Sequence, residues 1–97
     1  MTNYKITDSE IVISGHSGYG PAGTDIICAA LSTLKLFLVD GLVESGTGTA
    51  VCERPDEAYF SVTVTEPTES GRFLLRIFER EMDGLRAAFP EYITRTD

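Results

Sequence analysis

The chain has 97 residues, 42% of them hydrophobic and 24% charged, with a formal net charge of −7. That length makes a single domain, residues 1–97, able to bury roughly 60–65% of its unfolded surface, and the composition excludes general disorder. The acidic balance argues against a nucleic-acid partner, which needs basic patches to neutralise phosphates, and suits a basic protein instead.

Two cysteines do not make a disulfide framework, and the opening MTNYKITDSE has neither a basic n-region nor an apolar h-region. The expectation is a cytoplasmic protein with reduced thiols. The longest apolar stretch, Ile26 to Val43, is interrupted by Ser32, Thr33, Lys35 and Asp40. A spanning helix needs about 20 mostly apolar residues, so this stretch reads as a buried core helix and no membrane partner is expected.

In chain order, residues 3–7 and 10–15 are short β-type runs around Thr7-Asp8-Ser9, a hairpin with Ile11 and Ile13 on its buried face. Residues 15–24 follow, and because Gly, Pro and Ser fill six of those ten positions they read as a loop. Thr24 or Asp25 caps a first helix, along which Ile27, Ala30, Leu31, Leu34, Leu38 and Leu42 share one face. Gly41 or Ser45-Gly46 ends it. Residues 47–53 form a third strand, closed by Arg54-Pro55-Asp56, and Cys52 is expected in the core. Residues 58–65 alternate cleanly, Phe60, Val62 and Val64 pointing one way and Tyr59, Ser61, Thr63 and Thr65 the other. Pro67-Thr68-Glu69-Ser70 opens a second helix to about Phe89, with Leu74, Ile77, Phe78, Leu85, Ala88 and Phe89 as its inner stripe. Pro90 stops it, and Tyr92-Ile93 is an apolar tail that can dock back.

The order is ββαββα. The fold expected is α+β, a two-layer sandwich of about four antiparallel strands with both helices on one face. An uncovered sheet face or edge then favours dimerisation.

The chemistry concentrates in GHSGYGPAGTDIIC, Gly15 to Cys28, which holds the chain's one histidine, His16, and one of its cysteines. A free thiol is only a few per cent thiolate at neutral pH, and reaching a pKa of about 7 takes roughly 2 kcal/mol of preferential stabilisation. A helix N-terminus supplies about 0.3–1 kcal/mol, and a nearby imidazolium the rest. With Asp25 as N-cap, Cys28 sits in the first turn, and that turn's N–H groups are candidates for an oxyanion hole. On residues alone two readings stand: a buried small hydrophobe beside a surface histidine, or a nucleophile and its base joined by a flexible arm. Asp25 is a plain cap or also an orienter of His16; Ser32, one turn after Cys28, is a back-bonded helix serine or a donor near the sulfur. One His and two Cys without C-x-x-C spacing predict no metal, and Gly18, Gly20 and Gly23 without a following lysine make no phosphate cradle, so no cofactor is expected.

Taken together, Gly15, His16, Gly20, Gly23, Asp25, Ile26, Ile27, Cys28, Ala29 and Ser32 resemble the signature of the ribosomal-processing cysteine protease family, Prp. Arg54-Pro55 and Phe89-Pro90-Glu91-Tyr92-Ile93 look like later landmarks of the same family, so the resemblance spans nearly the whole chain. It implies a cytoplasmic, homodimeric cysteine endopeptidase that removes the N-terminal extension of a large-subunit ribosomal protein. By carry-over Cys28 is the nucleophile and His16 the general base, Asp25 and Ser32 support them, and Gly15, Gly18, Gly20 and Gly23 belong to a loop that orders over the peptide. Two departures stand out: Ser17 occupies the place of a small apolar Ala, which is expected to alter loop packing, and the first hairpin is short. The competing readings are a non-catalytic dimeric, ribosome-associated binding module and a thiol redox sensor.

Overall fold

The computed structural model describes residues 1–21 and 24–97; Gly23 therefore lies outside the described residues. Two strands, β1 (Thr2–Ile6) and β2 (Glu10–Ser14), precede helix α1 (Ile26–Glu44). Strands β3 (Gly48–Arg54) and β4 (Tyr59–Thr65) are joined by a 3-10 turn at Pro55–Glu57, and α2 (Glu69–Ala88) and β5 (Ile93–Arg95) close the chain. The α+β class and the ββαββα order are as expected. The sheet differs: it is mixed and five-stranded, in the order β3-β4-β2-β1-β5. The tail does more than dock, because Ile93–Arg95 pairs parallel with Thr2–Tyr4 as a fifth strand.

Register explains which side chains are buried. Tyr4 faces Ile13, Ile11 faces Val62 and Ile13 faces Phe60 across antiparallel pairs. Directly opposed residues share a sheet face, so these side chains form one apolar surface that both helices cover. From α1, Ile27, Leu31, Leu38 and Leu42 are buried on it; from α2 come Phe78 and Met82, with Leu74, Leu85 and Phe89 partly buried. Met82 thus takes the central place in the stripe, while Ala88 is exposed. By length and composition α1 could cross a membrane, but its four buried residues hold it against the sheet as the core helix. Fully burying each such side chain is worth about 1.5–3 kcal/mol.

Cys52 is not in the core. It opposes Ser61, on the sheet face turned away from the helices, and it is exposed. Its neighbour Val51 opposes Val62 on the helix side, yet is also exposed, because β3 is the sheet edge. Gly41 does not end α1, which runs on to a cap at Ser45. A Cβ at position 41 would collide with the Leu74 side chain, so glycine is what lets the two helices approach there.

Helix α2 starts at Thr68, whose hydroxyl accepts from the Gly71 N–H. A cluster of charges ties its last turns to β5. The Arg95 guanidinium reaches Asp83 at 3.1 Å, Glu79 at 2.8 Å and Asp97 at 2.8 Å, and Tyr4 donates its hydroxyl to Asp83 at 2.5 Å. Burial, and then the bond to Asp83, pushes the Tyr4 hydroxyl up to about 12. Burial alone would raise the Asp83 carboxyl, but the bonds from Tyr4 and Arg95 outweigh it and hold it below its ordinary value of 3.8. A carboxyl depressed in the folded state stabilises the fold above its unfolded pKa, and that contribution is lost as pH falls through the depressed value. Asp83→Asn is therefore less stable than the wild type near neutrality, and the difference in thermal midpoint holds down to about pH 5 and narrows as pH falls on through the depressed value. The shift is modest, because the carboxylate is partly in solvent.

Candidate functional site

The strand-to-loop junction needs glycine. Gly15 has φ +89°, and a side chain there would run into the Met1 carbonyl; its N–H is held by the Ala58 carbonyl at 2.8 Å. This turn sends His16 out of the sheet. The His16 carbonyl accepts from the Met1 amino group at 2.6 Å, and its side chain is exposed.

At the other end of the loop, Asp25 is the N-cap of α1. Its Oδ1 accepts from the Ile27 N–H at 2.9 Å and the Cys28 N–H at 3.0 Å. These two N–H groups are therefore occupied by the cap, which corrects the expectation that they stand free as an oxyanion hole. Its other oxygen, Oδ2, accepts from the Ser17 hydroxyl at 2.5 Å. That bond, helped by those from Cys28 and Ile27, holds the Asp25 carboxyl down at about 2, so it is an anion at any physiological pH.

Cys28 lies within the first turn of α1, half-buried and free. Among the described residues its sulfur contacts Ser17 Oγ at 3.7 Å. Ser17 is itself only 2% exposed and also accepts from the Tyr19 N–H at 3.3 Å. The residue that the sequence marks as a loop-packing change thus links the cap to the sulfur. The one signal of this in the sequence is that a hydroxyl stands where a methyl is expected. Tyr19 in turn packs edge-on against Phe89 and Tyr92, ring centroids 5.8 and 5.2 Å away, so the tail that follows α2 holds the loop.

His16, Gly18, Gly20, Asp25, Cys28, Ala29 and Ser32 line one open cavity of about 530 Å³. All of the predicted site residues that lie within the described part of the chain therefore meet there, except Gly15. Ser32 is exposed on the cavity wall; the back-bonded hydroxyl of this turn is Thr33, donating to the Ala29 carbonyl at 3.1 Å. Lys35, two turns along α1, is a contributor the sequence reading missed. Burial lowers its pKa, while Glu53 and Cys28 act in the opposite sense and favour its charged form. A comparable cavity of about 600 Å³, lined by Ile6, Val64, Arg72, Leu75 and Glu79 among others, contains neither cysteine nor histidine.

A cysteine in the first turn of a helix, sharing an open cleft with a histidine from the preceding loop, is the constitution of a thiol-dependent hydrolase. The family model of the cysteine protease Prp matches residues 1–94, so the chain belongs to that family and is a cysteine protease. In fold it is similar to an essential ribosomal processing protease Prp from S. aureus, solved with a covalently linked product peptide. The TM-score is 0.87 at 15% identity, over 98% of this chain and 95% of that one. The same S. aureus protein solved with a substrate peptide gives a TM-score of 0.81 at 14% identity, with the same coverage. SMU.848 from Streptococcus mutans gives 0.79 at 26% identity, over 98% of this chain and 90% of that one. No curated protein matches in sequence.

The cap makes a first test. Asp25→Ala is expected to lower the urea unfolding midpoint of the domain, and Asp25→Asn by clearly less, because the amide oxygen still accepts from the two helix N–H groups.

Proposed function

We propose that the protein is an endopeptidase that removes the N-terminal extension of a large-subunit ribosomal protein, with Cys28 as nucleophile and His16 as general base. The observation that carries this reading is the shared cleft: the sulfur at the start of α1 and the imidazole at the end of β2 open onto one solvent-accessible space, in a chain whose family is that of a cysteine protease. The S. aureus relative, captured both with a substrate peptide and with a covalently linked product, supports peptide as the substrate. A formal charge of −7 suits a basic ribosomal protein.

In this mechanism a peptide laid along the glycine loop brings His16 over Cys28. His16 takes the thiol proton as the sulfur attacks the scissile carbonyl carbon, and the carbonyl π electrons move onto oxygen. The tetrahedral intermediate collapses, the C–N bond breaks, and the imidazolium gives its proton to the departing amine. A thioester joins the new C-terminal residue to Cys28. His16 then deprotonates a water, which attacks the thioester, and the proton returns to sulfur as the acid product leaves. With the Ile27 and Cys28 N–H groups held by Asp25, the oxyanion draws on donors elsewhere in the cleft or on the peptide-ordered loop.

The protein acts in the cytoplasm, where its two free thiols stay reduced, and works as a homodimer. The outward face of α1 supports self-association: Leu36, Phe37 and Val43 are each about 60% or more exposed. An apolar patch of this kind on a small acidic domain marks a protein–protein surface. Sedimentation velocity is expected to find a dimer for the wild type and a monomer for Leu36→Glu/Phe37→Glu.

Mixed with an extended ribosomal protein or a peptide of its N-terminus, the wild type is expected to make one defined cut, to be identified by mass spectrometry. Cys28→Ala and His16→Ala each lower the rate by at least about a thousandfold. Equal cutting by all three proteins contradicts the pairing.

A further inference from the structure

The hydroxyl of Ser17 has one proton and two lone pairs to place. Its proton goes to the strongest acceptor in reach, the Asp25 carboxylate at 2.5 Å, a distance typical of a charge-assisted O–H···O⁻ bond. One lone pair receives the Tyr19 N–H at 3.3 Å. What Ser17 then offers Cys28 Sγ, 3.7 Å away, is its other lone pair, so across this contact the sulfur is the donor and carries its hydrogen. A thiolate in the same place would meet an oxygen lone pair and, beyond it, a carboxylate. Ser17 is buried, so water does not replace either interaction.

We propose that Ser17 is a positioning residue for Cys28: with its proton given to Asp25, it accepts the Cys28 S–H and holds the resting nucleophile as an oriented thiol until a base in the cleft removes the proton. The proposal rests on the endopeptidase reading above, in which His16 is that base. Three ionisable groups bear on the sulfur. Asp25 bears on it by a side-chain bond to Cys28 as well as through Ser17; Lys35 acts on it through space; His16 is the proton's destination. The polarity of the Ser17 hydroxyl is what Asp25 sets. If residue 25 becomes an amide, its oxygen can still cap α1 while its NH₂ donates to Ser17 Oγ, and the Ser17 proton turns toward the sulfur.

The test is a two-by-two set of proteins: wild type, Asp25→Asn, Ser17→Ala and the double variant, each alkylated with iodoacetamide without substrate across a range of pH. Peptide mass spectrometry reads Cys28 against the exposed Cys52 in the same molecule, which serves as the reference. Asp25→Asn is expected to speed Cys28 alkylation about tenfold near neutrality and move its pH profile to lower pH. In the Ser17→Ala background the gain falls to about threefold or less, since only the removed charge still acts. Asp25→Ser, a second neutral cap, gives the same dependence on Ser17, and thermal midpoints establish that each variant is folded. An equal gain whether Ser17 is present or replaced overturns the proposal, as does no gain in either background. Peptide cleavage is followed in parallel. Cleavage without coupling removes the role of Ser17 alone; coupling without cleavage of any ribosomal peptide removes the functional reading and leaves the role of Ser17 in place.

Discussion

The carboxylate of Asp25 is the hinge of the site. One oxygen holds the first N–H groups of α1 and the other holds Ser17, so a single anion fixes where the helix begins, where the loop returns and what faces the sulfur. Helix capping is ordinarily a matter of local stability, worth about 1 kcal/mol. Here the same charge bears on the Cys28 sulfur, both directly and through the Ser17 hydroxyl. In the proposed mechanism the proton is taken by His16, which opens onto the same cleft.

The rest of the molecule can be read as support for that arrangement. The sheet and two helices bury one continuous core beneath α1, and its N-terminal turn is brought to the end of β2 where the loop departs. Tyr19 fastens the loop by packing against Phe89 and Tyr92, residues just beyond α2. Those residues are in turn held by β5, which pairs with β1 and is clamped to α2 through Arg95 and Asp83. The far end of the chain thereby contributes to the geometry of a site formed by residues near its beginning. His16, by contrast, is exposed, and among the described residues its backbone carbonyl is what ties it, to the Met1 amino group. The proposed mechanism asks this exposed side chain to reach the sulfur when peptide fills the cleft.

Much of the fold was legible because periodicity reports burial. The spacing of Ile27, Leu31, Leu38 and Leu42 and the alternation of Phe60, Val62 and Val64 each correspond to one buried face. What escaped depends on partners distant in the chain. Ile93-Thr94-Arg95 is too short to announce a strand, and its pairing with β1 is settled by closure of the whole domain. The exposure of Cys52 follows from its opposition to Ser61, a register no local pattern contains. Gly41 reads as a helix end until Leu74 is known to cross over it. The candidate site was legible from its motif as far as His16, Asp25, Cys28 and Ser32. The chemistry of Ser17 was not, since a hydroxyl in a glycine-rich loop points nowhere until residues 17, 25 and 28 are seen together.

The proposed chemistry stands or falls on Cys28 attacking a peptide carbonyl with His16 as its base. Trapping the covalent intermediate decides this: a substrate-derived peptide is mixed with enzyme, quenched in acid within the first turnover, and the intact protein is weighed and mapped. A single acyl adduct on Cys28 is expected, formed by the wild type and lost when His16 is replaced by Ala. An adduct on Cys52 instead, or formation on Cys28 at the same rate without His16, would overturn the mechanism.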